Sequence, residues 1–282
     1  MRGRKNRTMK MDFSGSDFVE FCRTNRPAYH AQYYAMYSSW WDGITTDPNL
    51  MVVPVDDHMV HRGDGLFETC KCVDGAIYNL DSHMARLEGG ARTISLQLPW
   101  SREEIGRIVG EVLRAGGRRD ALVRIFVSRG PGGHSANPYE CPKPLLMILS
   151  IRLPPPFMVA HPEGAKVGVS GVPAKSGFFA QVKSVNYLPN VLMKKQAVDA
   201  GVDFMLGFDA NGHMTELPTE NFGIVSAERV LRVPRPDHIL PGTTMRRVLA
   251  LAREKLLPAG VLAGVEEADV PRAELEMAAE ML

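Results

Sequence analysis

Lys183 and Glu216 are the residues whose types and surroundings point most directly to chemistry. Lys183 begins the segment Lys183–Leu192, and Glu216 ends a mostly apolar stretch that predicts a strand at 214–216. A lysine amine forms a Schiff base with an aldehyde, and a carboxylate keeps a pyridine nitrogen protonated so that the ring accepts electrons. The pair therefore predicts a site that holds pyridoxal phosphate on Lys183.

A phosphate group needs an anion site, and Gly242-Thr243-Thr244 has the composition of one. Glycine allows close backbone approach, the amides at a helix start point outward, and a threonine hydroxyl adds a donor. The alternative is that Thr243 or Thr244 only caps its helix. Arg86 lies near the buried face of a predicted helix, where a guanidinium either clamps phosphate or extends into solvent.

The elements that position these residues fall into two halves, and the predicted fold class is α/β. Residues 1–30 are polar and aperiodic, which predicts an N-terminal extension with one short helix at 16–23. Residues 31–152 predict a small α+β domain, and 153–282 a larger, mixed α/β, cofactor-binding domain. The boundary is placed at Leu153-Pro154-Pro155-Pro156, because prolines continue neither a helix nor a central strand.

Apolar periodicity and turn residues give the individual elements. Asp74-Gly75 predicts a hairpin turn, and Ser101 with Glu104 forms a capping box that opens a helix. Strands are predicted at 51–55, 66–73, 76–80, 121–128, 145–151, 166–171, 204–208, 214–216, 222–225 and 230–233. Helices are predicted from Asp81-Ser82 onward, at 101–115, at 189–200 and from Gly242 through Leu257.

Composition limits the possible partners. The chain has 33 Lys and Arg against 32 Asp and Glu, so no basic field predicts nucleic acid or an anionic membrane as partner. No apolar run approaches the length of a membrane span. The four cysteines are too few for a disulfide scaffold, and Cys70-x-Cys72 lacks the companions of a metal site. We expect a cytoplasmic protein with small-molecule partners, although the basic start leaves a targeting role open.

Several ordered motifs together resemble a known family. They are Met59–Thr69, Leu80–Leu87, Lys183–Leu188, Thr215–Phe222 and Leu240–Thr244. From about Tyr34 onward the chain is similar to the class IV, fold-type IV pyridoxal-phosphate aminotransferases. It is nearest to the branch of D-amino-acid aminotransferases and aminodeoxychorismate lyases.

The resemblance implies a role for each matching residue. Lys183 would bind the cofactor and then move a proton between the substrate Cα and the cofactor. Glu216 would pair with the pyridine nitrogen. The phosphate would lie against Arg86, Gly242, Thr243 and Thr244, with Tyr187 and Asn221 as helpers. Phe67 would line the substrate pocket, and the enzyme would be a homodimer.

The sequence departs from the family pattern at two places. Bacterial D-amino-acid aminotransferases carry an Arg-x-His pair that binds the substrate carboxylate from the neighbouring subunit, whereas this loop reads Arg129-Gly130-Pro131-Gly132-Gly133-His134. Arg129 or His134 would have to substitute for the pair. The sequence also stops before the C-terminal turn that touches phosphate and substrate in the family, so we expect a truncated domain.

The predicted activity is amino transfer between an amino acid and a 2-oxo acid. One alternative is an aminodeoxychorismate lyase, which uses the same lysine to eliminate pyruvate. An alternative of another class is a truncated or catalytically silent protein that still binds pyridoxal phosphate. Substrate chirality does not follow from the fold.

Overall fold

The computed structural model describes residues 12–282. Its helices are α1 Gly15–Thr24, α2 His58–Arg62, α3 Leu80–Thr93, α4 Arg102–Gly116, α5 Phe157–Ala160, α6 Phe178–Gln181, α7 Leu188–Ala200, α8 Thr243–Leu251 and α9 Arg272–Glu276. Its strands are β1 Tyr33–Ser38, β2 Gly43–Thr45, β3 Gly65–Val73, β4 Ala76–Ile77, β5 Ala121–Ser128, β6 Leu145–Ile151, β7 Val167–Val169, β8 Phe204–Leu206, β9 Ile224–Val225, β10 Val230–Pro234, β11 Gly264–Ala268 and β12 Glu280–Met281.

The N-terminal half is built on a six-stranded antiparallel sheet with the order β2-β1-β6-β5-β3-β4. The hairpin between β3 and β4 turns at Asp74 and Gly75, which have φ angles of 54° and 79°. Two successive positive φ angles give the turn a twist that matches its strands, and this is why Asp-Gly predicted it. The predicted strands at 121–128 and 145–151 are confirmed as β5 and β6.

One face of this sheet is covered by α3 and α4. Alternate residues of β3 and β5, such as Leu66 and Ile125, pack against Leu87, Ile105 and other apolar residues of the two helices. The capping box predicted at the start of α4 is present, with the Ser101 hydroxyl accepting from the Glu104 amide. This face forms the core, and the opposite face of β3 and β5 is open.

The C-terminal half has separate and smaller cores. A four-stranded sheet has the order β11-β10-β9-β12, and β7 pairs with β8 in parallel. One core lies between β8, β9 and the segment around Met214, and another lies between β10 and α8. Helix α7 packs on β8 through Met193 and Ala197. These elements place the segments that contain Lys183, Glu216 and Gly242 around one space.

Two strand predictions were wrong. Residues 51–55 pair with no other strand of the described chain, because Pro54 cannot donate a ladder hydrogen bond. Residues 214–216 form no regular strand: Met214 makes an isolated bridge with Phe208, and the amide of Thr215 and the carbonyl of Glu216 both bond to Gly207 before the chain turns at Leu217. Glu216 therefore lies just outside regular structure. The short helix predicted at 16–23 is present as α1.

Among residues 12–282, no helix is both long enough and apolar enough to cross a membrane.

Candidate active site

A cavity of about 460 Å³ lies between the open end of β3, the start of α7 and the start of α8. This volume is within the usual range for small-molecule sites. Its lining includes eight residues that the sequence singled out, namely Arg86, Lys183, Tyr187, Glu216, Asn221, Gly242, Thr243 and Thr244. The structure thus brings together residues that are as far apart as 86 and 244 in the sequence.

Lys183 is positioned by pairing of its backbone with the edge of β3. The amide of Phe67 donates to the carbonyl of Lys183 at 3.0 Å, and the amide of Val185 donates to the carbonyl of Gly65 at 3.0 Å. This edge is free because β4 pairs only with the far end of β3. The main chain of Lys183 is therefore held independently of its side chain.

The side chain of Lys183 extends into the cavity beside two aromatic rings that contact each other. Its Nζ lies 4.6 Å from the ring centre of Phe67 and 5.9 Å from that of Tyr187. Burial, followed by the charge of Arg86, lowers the pKa of Lys183 to about 8. Both causes disfavour the charged amine. Phe67 does not line the cavity itself but stacks on Phe126 behind the lysine.

The lowered pKa of Lys183 predicts a pH dependence for its reaction with an added aldehyde. Only the neutral amine attacks, and at pH 7 about one molecule in ten carries it, against fewer than about one in a thousand for an ordinary lysine. We expect the rate of adduct formation at Lys183 to rise about tenfold per pH unit below 8 and to level off above it. Stopped-flow absorbance from pH 6 to 10 measures this. A rise that continues to pH 10 would contradict the lowered pKa.

Glu216 lies across the cavity with one carboxylate oxygen in use. Its Oε2 accepts the amide of Leu240 at 2.9 Å, and no group among residues 12–282 donates to Oε1. Burial raises the pKa of Glu216, and the charges of Lys175 and Lys183 oppose that rise. A partly buried carboxylate with one free oxygen is suited to accept a hydrogen bond from a cationic ligand.

Arg86 is held at the cavity by a carboxylate that the sequence left unassigned. Its Nε and Nη2 donate to the two oxygens of Glu68 at 2.8 and 2.7 Å, and its Nη1 donates to the Pro241 carbonyl at 3.3 Å. Glu68 is fully buried and also contacts Nδ1 of His83 at 2.7 Å. Arginine and histidine together lower the pKa of Glu68 against the effect of burial.

Replacing Glu68 with alanine is expected to lower the free energy of unfolding by about 3–5 kcal/mol, because Arg86 and His83 lose their buried partner. Urea unfolding followed by circular dichroism measures this. Glu88→Ala is the matched control, since Glu88 pairs with Arg102 at the surface, where screening leaves little net stabilisation. Equal losses in the two variants would show that the buried network does not stabilise the fold.

The start of α8 has the features of an anion site. Gly242 precedes the first helical residue, and no side chain caps the helix amides. A Cβ at Gly242 would overlap the side chain of Asn221, which donates to the Leu240 carbonyl at 2.9 Å. The Thr243 hydroxyl is 3.3 Å from Nε2 of His83, which connects this turn to Glu68. Asn221 thus shapes the turn, and Gly242, Thr243 and Thr244 at the uncapped helix start line the cavity.

Gly242→Ala is expected to weaken binding of an anionic ligand by at least about tenfold, because the turn must move to accept the new methyl group. Calorimetric titration with inorganic phosphate and with pyridoxal phosphate measures this affinity. Gly110→Ala in α4 is the control, since nothing lies within 4 Å of the added carbon. Unchanged affinity in Gly242→Ala would show that the turn does not bind the anion.

Arg129 and His134 do not line this cavity. Nε and Nη2 of Arg129 each donate at 3.0 Å to Asp64, and its remaining bonds go to the carbonyls of Ser95 and Ile94. The exposed His134 lies beside His61, with the two rings 5.1 Å apart. Within one chain, neither residue faces Lys183.

Three residues at the site were not singled out as functional from the sequence: Glu68, His83 and Lys175. His83 and Arg86 stand three positions apart on α3, a spacing that places both on one helix face. Lys175 also lines the cavity, and its Nζ is 5.4 Å from the ring centre of Tyr187. Lys175 precedes Lys183 in an irregular loop, so no periodicity could have indicated where its side chain points.

Comparison with known proteins gives consistent matches. A model of the family described as amino-transferase class IV matches residues 65–282. A relative named D-amino-acid transaminase, chloroplastic, from Arabidopsis thaliana is 41% identical over 252 residues, which are 89% of this chain and 66% of that protein. A bifunctional aminodeoxychorismate lyase and D-amino acid transaminase from Mycobacterium tuberculosis is 26% identical, with 76% of this chain and 77% of that protein covered.

A solved structure shares the fold. It is the branched-chain amino acid aminotransferase of Escherichia coli, and it matches with a TM-score of 0.77 and 23% identity. The match covers 89% of this chain and 81% of that one. The α/β fold predicted from the motifs is therefore confirmed.

Proposed function

Because the chain belongs to the class IV aminotransferase family, we propose that it transfers an amino group between an amino acid and a 2-oxo acid, with pyridoxal 5'-phosphate as cofactor. The family predicted from the motifs is confirmed by the match over residues 65–282. The observation that carries the proposal is the amine of Lys183, whose lowered pKa makes it reactive and which shares one cavity with Glu216 and with the uncapped start of α8.

The residues of the cavity fit this cofactor. An uncapped helix start next to a glycine suits a phosphate, and the free Oε1 of Glu216 suits a protonated pyridine nitrogen. When bound, the cofactor supplies an electron-accepting ring that stabilises negative charge at the substrate Cα. A branched-chain amino acid aminotransferase of the same fold, with a TM-score of 0.79, was solved with pyridoxamine 5'-phosphate, which supports the assignment.

The residues at the cavity then have defined tasks. Lys183 would hold the cofactor through Nζ, and its neutral amine would take the proton from the substrate Cα. The rings of Tyr187 and Phe67 pack edge to face beside that amine and limit its position. Burial, followed by the charge of Glu216, raises the pKa of Tyr187 to about 12, so its hydroxyl remains a hydrogen-bond donor.

Arg86 is proposed to contribute charge and shape at the phosphate end. Its two bonds to Glu68 fix the plane of the guanidinium, and its contact with the Pro241 carbonyl holds it against the turn before Gly242. Thr243 and Thr244 add hydroxyl groups to the free amides of α8. The phosphate would be held mainly by backbone donors, with Arg86 orienting the turn.

A half-reaction tests the proposed transfer. Protein reconstituted with pyridoxal phosphate is mixed with the D or L form of alanine alone, and the visible spectrum and pyruvate are followed. We expect the band of the lysine-bound cofactor to bleach with one enantiomer, with one pyruvate formed per site. A stable band with both enantiomers of alanine and of glutamate would contradict amino transfer. No band at all would contradict pyridoxal phosphate as the cofactor, whereas a stable band with no pyruvate formed from amino acids or from aminodeoxychorismate would favour the silent protein that still binds it.

A lyase acting on aminodeoxychorismate is the second candidate, because the Mycobacterium tuberculosis relative is named for both activities. Elimination of pyruvate uses the same lysine but leaves the cofactor in its aldehyde form. Pyruvate released from aminodeoxychorismate without bleaching, together with no half-reaction on simple amino acids, would favour the lyase.

A homodimer in the cytoplasm completes the proposal. Large apolar side chains at the hairpin of β1 and β2, namely Trp40 and Trp41 in its turn and Ile44 on the edge strand β2, are exposed and support burial against a second copy. Light scattering tests the dimer, and a monomer would contradict it. The name of the Arabidopsis relative makes the chloroplast the other candidate compartment, and imaging of a fluorescent fusion distinguishes the two.

A further inference from the structure

Lys175 is an ionisable residue of the cavity that has no role in the proposed chemistry. It lies in the loop between β7 and α6, and its amine faces Tyr187 from a distance of 5.4 Å to the ring centre. Lys183 faces the same ring from 5.9 Å. Two lysine amines therefore lie within 6 Å of the centre of one tyrosine ring, at 5.4 and 5.9 Å. Only one of them is needed to hold the cofactor.

The position of Lys175 separates it from the phosphate end of the cavity. It also lines a small neighbouring space together with Pro189, Asn190 and Glu216, whereas Gly242, Thr243 and Thr244 line only the main cavity. Lys175 therefore lies on the Glu216 side. A cation there is not placed to bind the phosphate group.

The amine of Lys175 lacks an ion-pair partner. No carboxylate oxygen of residues 12–282 lies within 4.0 Å of it. Burial lowers the pKa of Lys175, and the charge of Glu216 opposes that effect. A partly buried cation without a close anion is costly, so the site favours an anionic ligand.

The other cations that line the cavity are already engaged, and so is Arg129. Arg86 gives its donors to Glu68 and to the carbonyl of Pro241. Arg129 gives its donors to Asp64 and to two backbone carbonyls, and this remains true in whichever subunit it is placed. Lys183 is reserved for the cofactor. The substrate brings one obligatory anion, its carboxylate, and Lys175 is the cavity cation left to receive it.

We propose that Lys175 binds the carboxylate of the amino acid and of the 2-oxo acid. This inference rests on the proposed function. The ammonium group donates to the carboxylate while Lys183 acts on the Cα, so Lys175 determines that substrates are carboxylic acids rather than simple amines. In this chain it performs the task that the Arg-x-His pair performs in the bacterial relatives.

The test is equilibrium binding of an unreactive acid to the reconstituted enzyme. Propanoate and propanamide differ in charge but hardly in shape, and calorimetry gives the Kd of each. We expect Lys175→Met to weaken propanoate binding by about tenfold or more, and to leave propanamide binding unchanged. Lys175→Arg should retain most of the affinity. In kinetics, the KM for the amino acid should rise more than kcat falls.

Two comparison variants decide between Lys175 and its rivals. Arg124 stands opposite Thr69 on the open sheet face, and His134 is exposed on its loop. Lost propanoate affinity in Arg124→Met or His134→Asn, with Lys175→Met unchanged, would overturn the proposal. A second result would also overturn the proposal: the absorption spectrum of Lys175→Met titrates at a different pH, but the Kd for propanoate is unchanged. Lys175 would then act only through its effect on Glu216.

The same samples separate failure of this inference from failure of the proposed function. If the unmodified protein shows no band of lysine-bound cofactor, the proposed function and this inference fall together. If that band is present and bleaches with an amino acid, the propanoate measurement tests Lys175 alone. Lys195→Met is the control for loss of a lysine charge, since Lys195 is exposed and pairs with Asp199 on the surface of α7.

Discussion

Lys183→Ala is expected to lower kcat by at least about 10⁴-fold, because one side chain is both the attachment point of the cofactor and the base that moves the substrate proton. The fold should remain intact. The backbone of Lys183 is held by Phe67 through a bond that does not involve the side chain. Thermal unfolding by circular dichroism, recorded beside single-turnover rates, separates the two effects.

Chemical rescue makes the Lys183 experiment specific. A small amine such as ethylamine, added at high concentration, should restore part of the proton transfer in Lys183→Ala, because the empty space leads directly to the reacting carbon. The Lys175→Ala variant still contains Lys183 as its base, so the added amine should not increase its rate. Lys183→Ala activity close to that of the unmodified protein would assign the base to another residue, with Lys175 as the first to examine.

Glu216→Gln has the second-largest expected effect, a fall in kcat of about 10²–10³-fold. Glutamine can still accept the amide of Leu240, which Glu216 binds at 2.9 Å, so the shape of the site is kept. What is lost is the negative charge that keeps the pyridine nitrogen protonated. Single-turnover rates with the preferred amino acid measure the loss.

Glu220→Gln is the matched control for Glu216→Gln. Glu220 also lines the cavity, but it is exposed and bonded to Thr219, so its charge should matter little for the ring nitrogen. Burial raises the pKa of Glu216, and a neutral amide in its place should therefore not lower the melting temperature. Equal kcat values for the two variants would remove Glu216 from the proposed role.

Local sequence signals predicted much of the fold. The strands β5 and β6 and the capped helix α4 were predicted because alternation, helical periodicity and a capping box agree in each. The strand predicted at 51–55 failed because Pro54 cannot donate a ladder hydrogen bond and its three valines stay exposed, and only tertiary pairing can decide such a segment. The strand ending at Glu216 failed for a related reason, since a short apolar run does not reveal a turn at Leu217.

The site was less accessible to sequence reasoning than its main residues suggest. Lys183, Glu216 and Gly242 were found through their chemistry and their motifs. Glu68 was passed over because an acidic residue on an alternating strand gives no sign that it is buried beneath Arg86 and His83. Lys175 could not be found, because an irregular loop carries no pattern that directs a side chain. Burial and pairing across distant segments are properties of the folded chain.

The most direct measurement is to locate the covalent bond between protein and cofactor. The protein is reconstituted with pyridoxal phosphate, reduced with borohydride to make the lysine bond permanent, digested, and analysed by mass spectrometry. We expect one phosphopyridoxyl group per chain, on Lys183, although Lys175 faces the same tyrosine ring. A label on Lys175, or one spread over surface lysines, would show that Lys183 does not carry the cofactor.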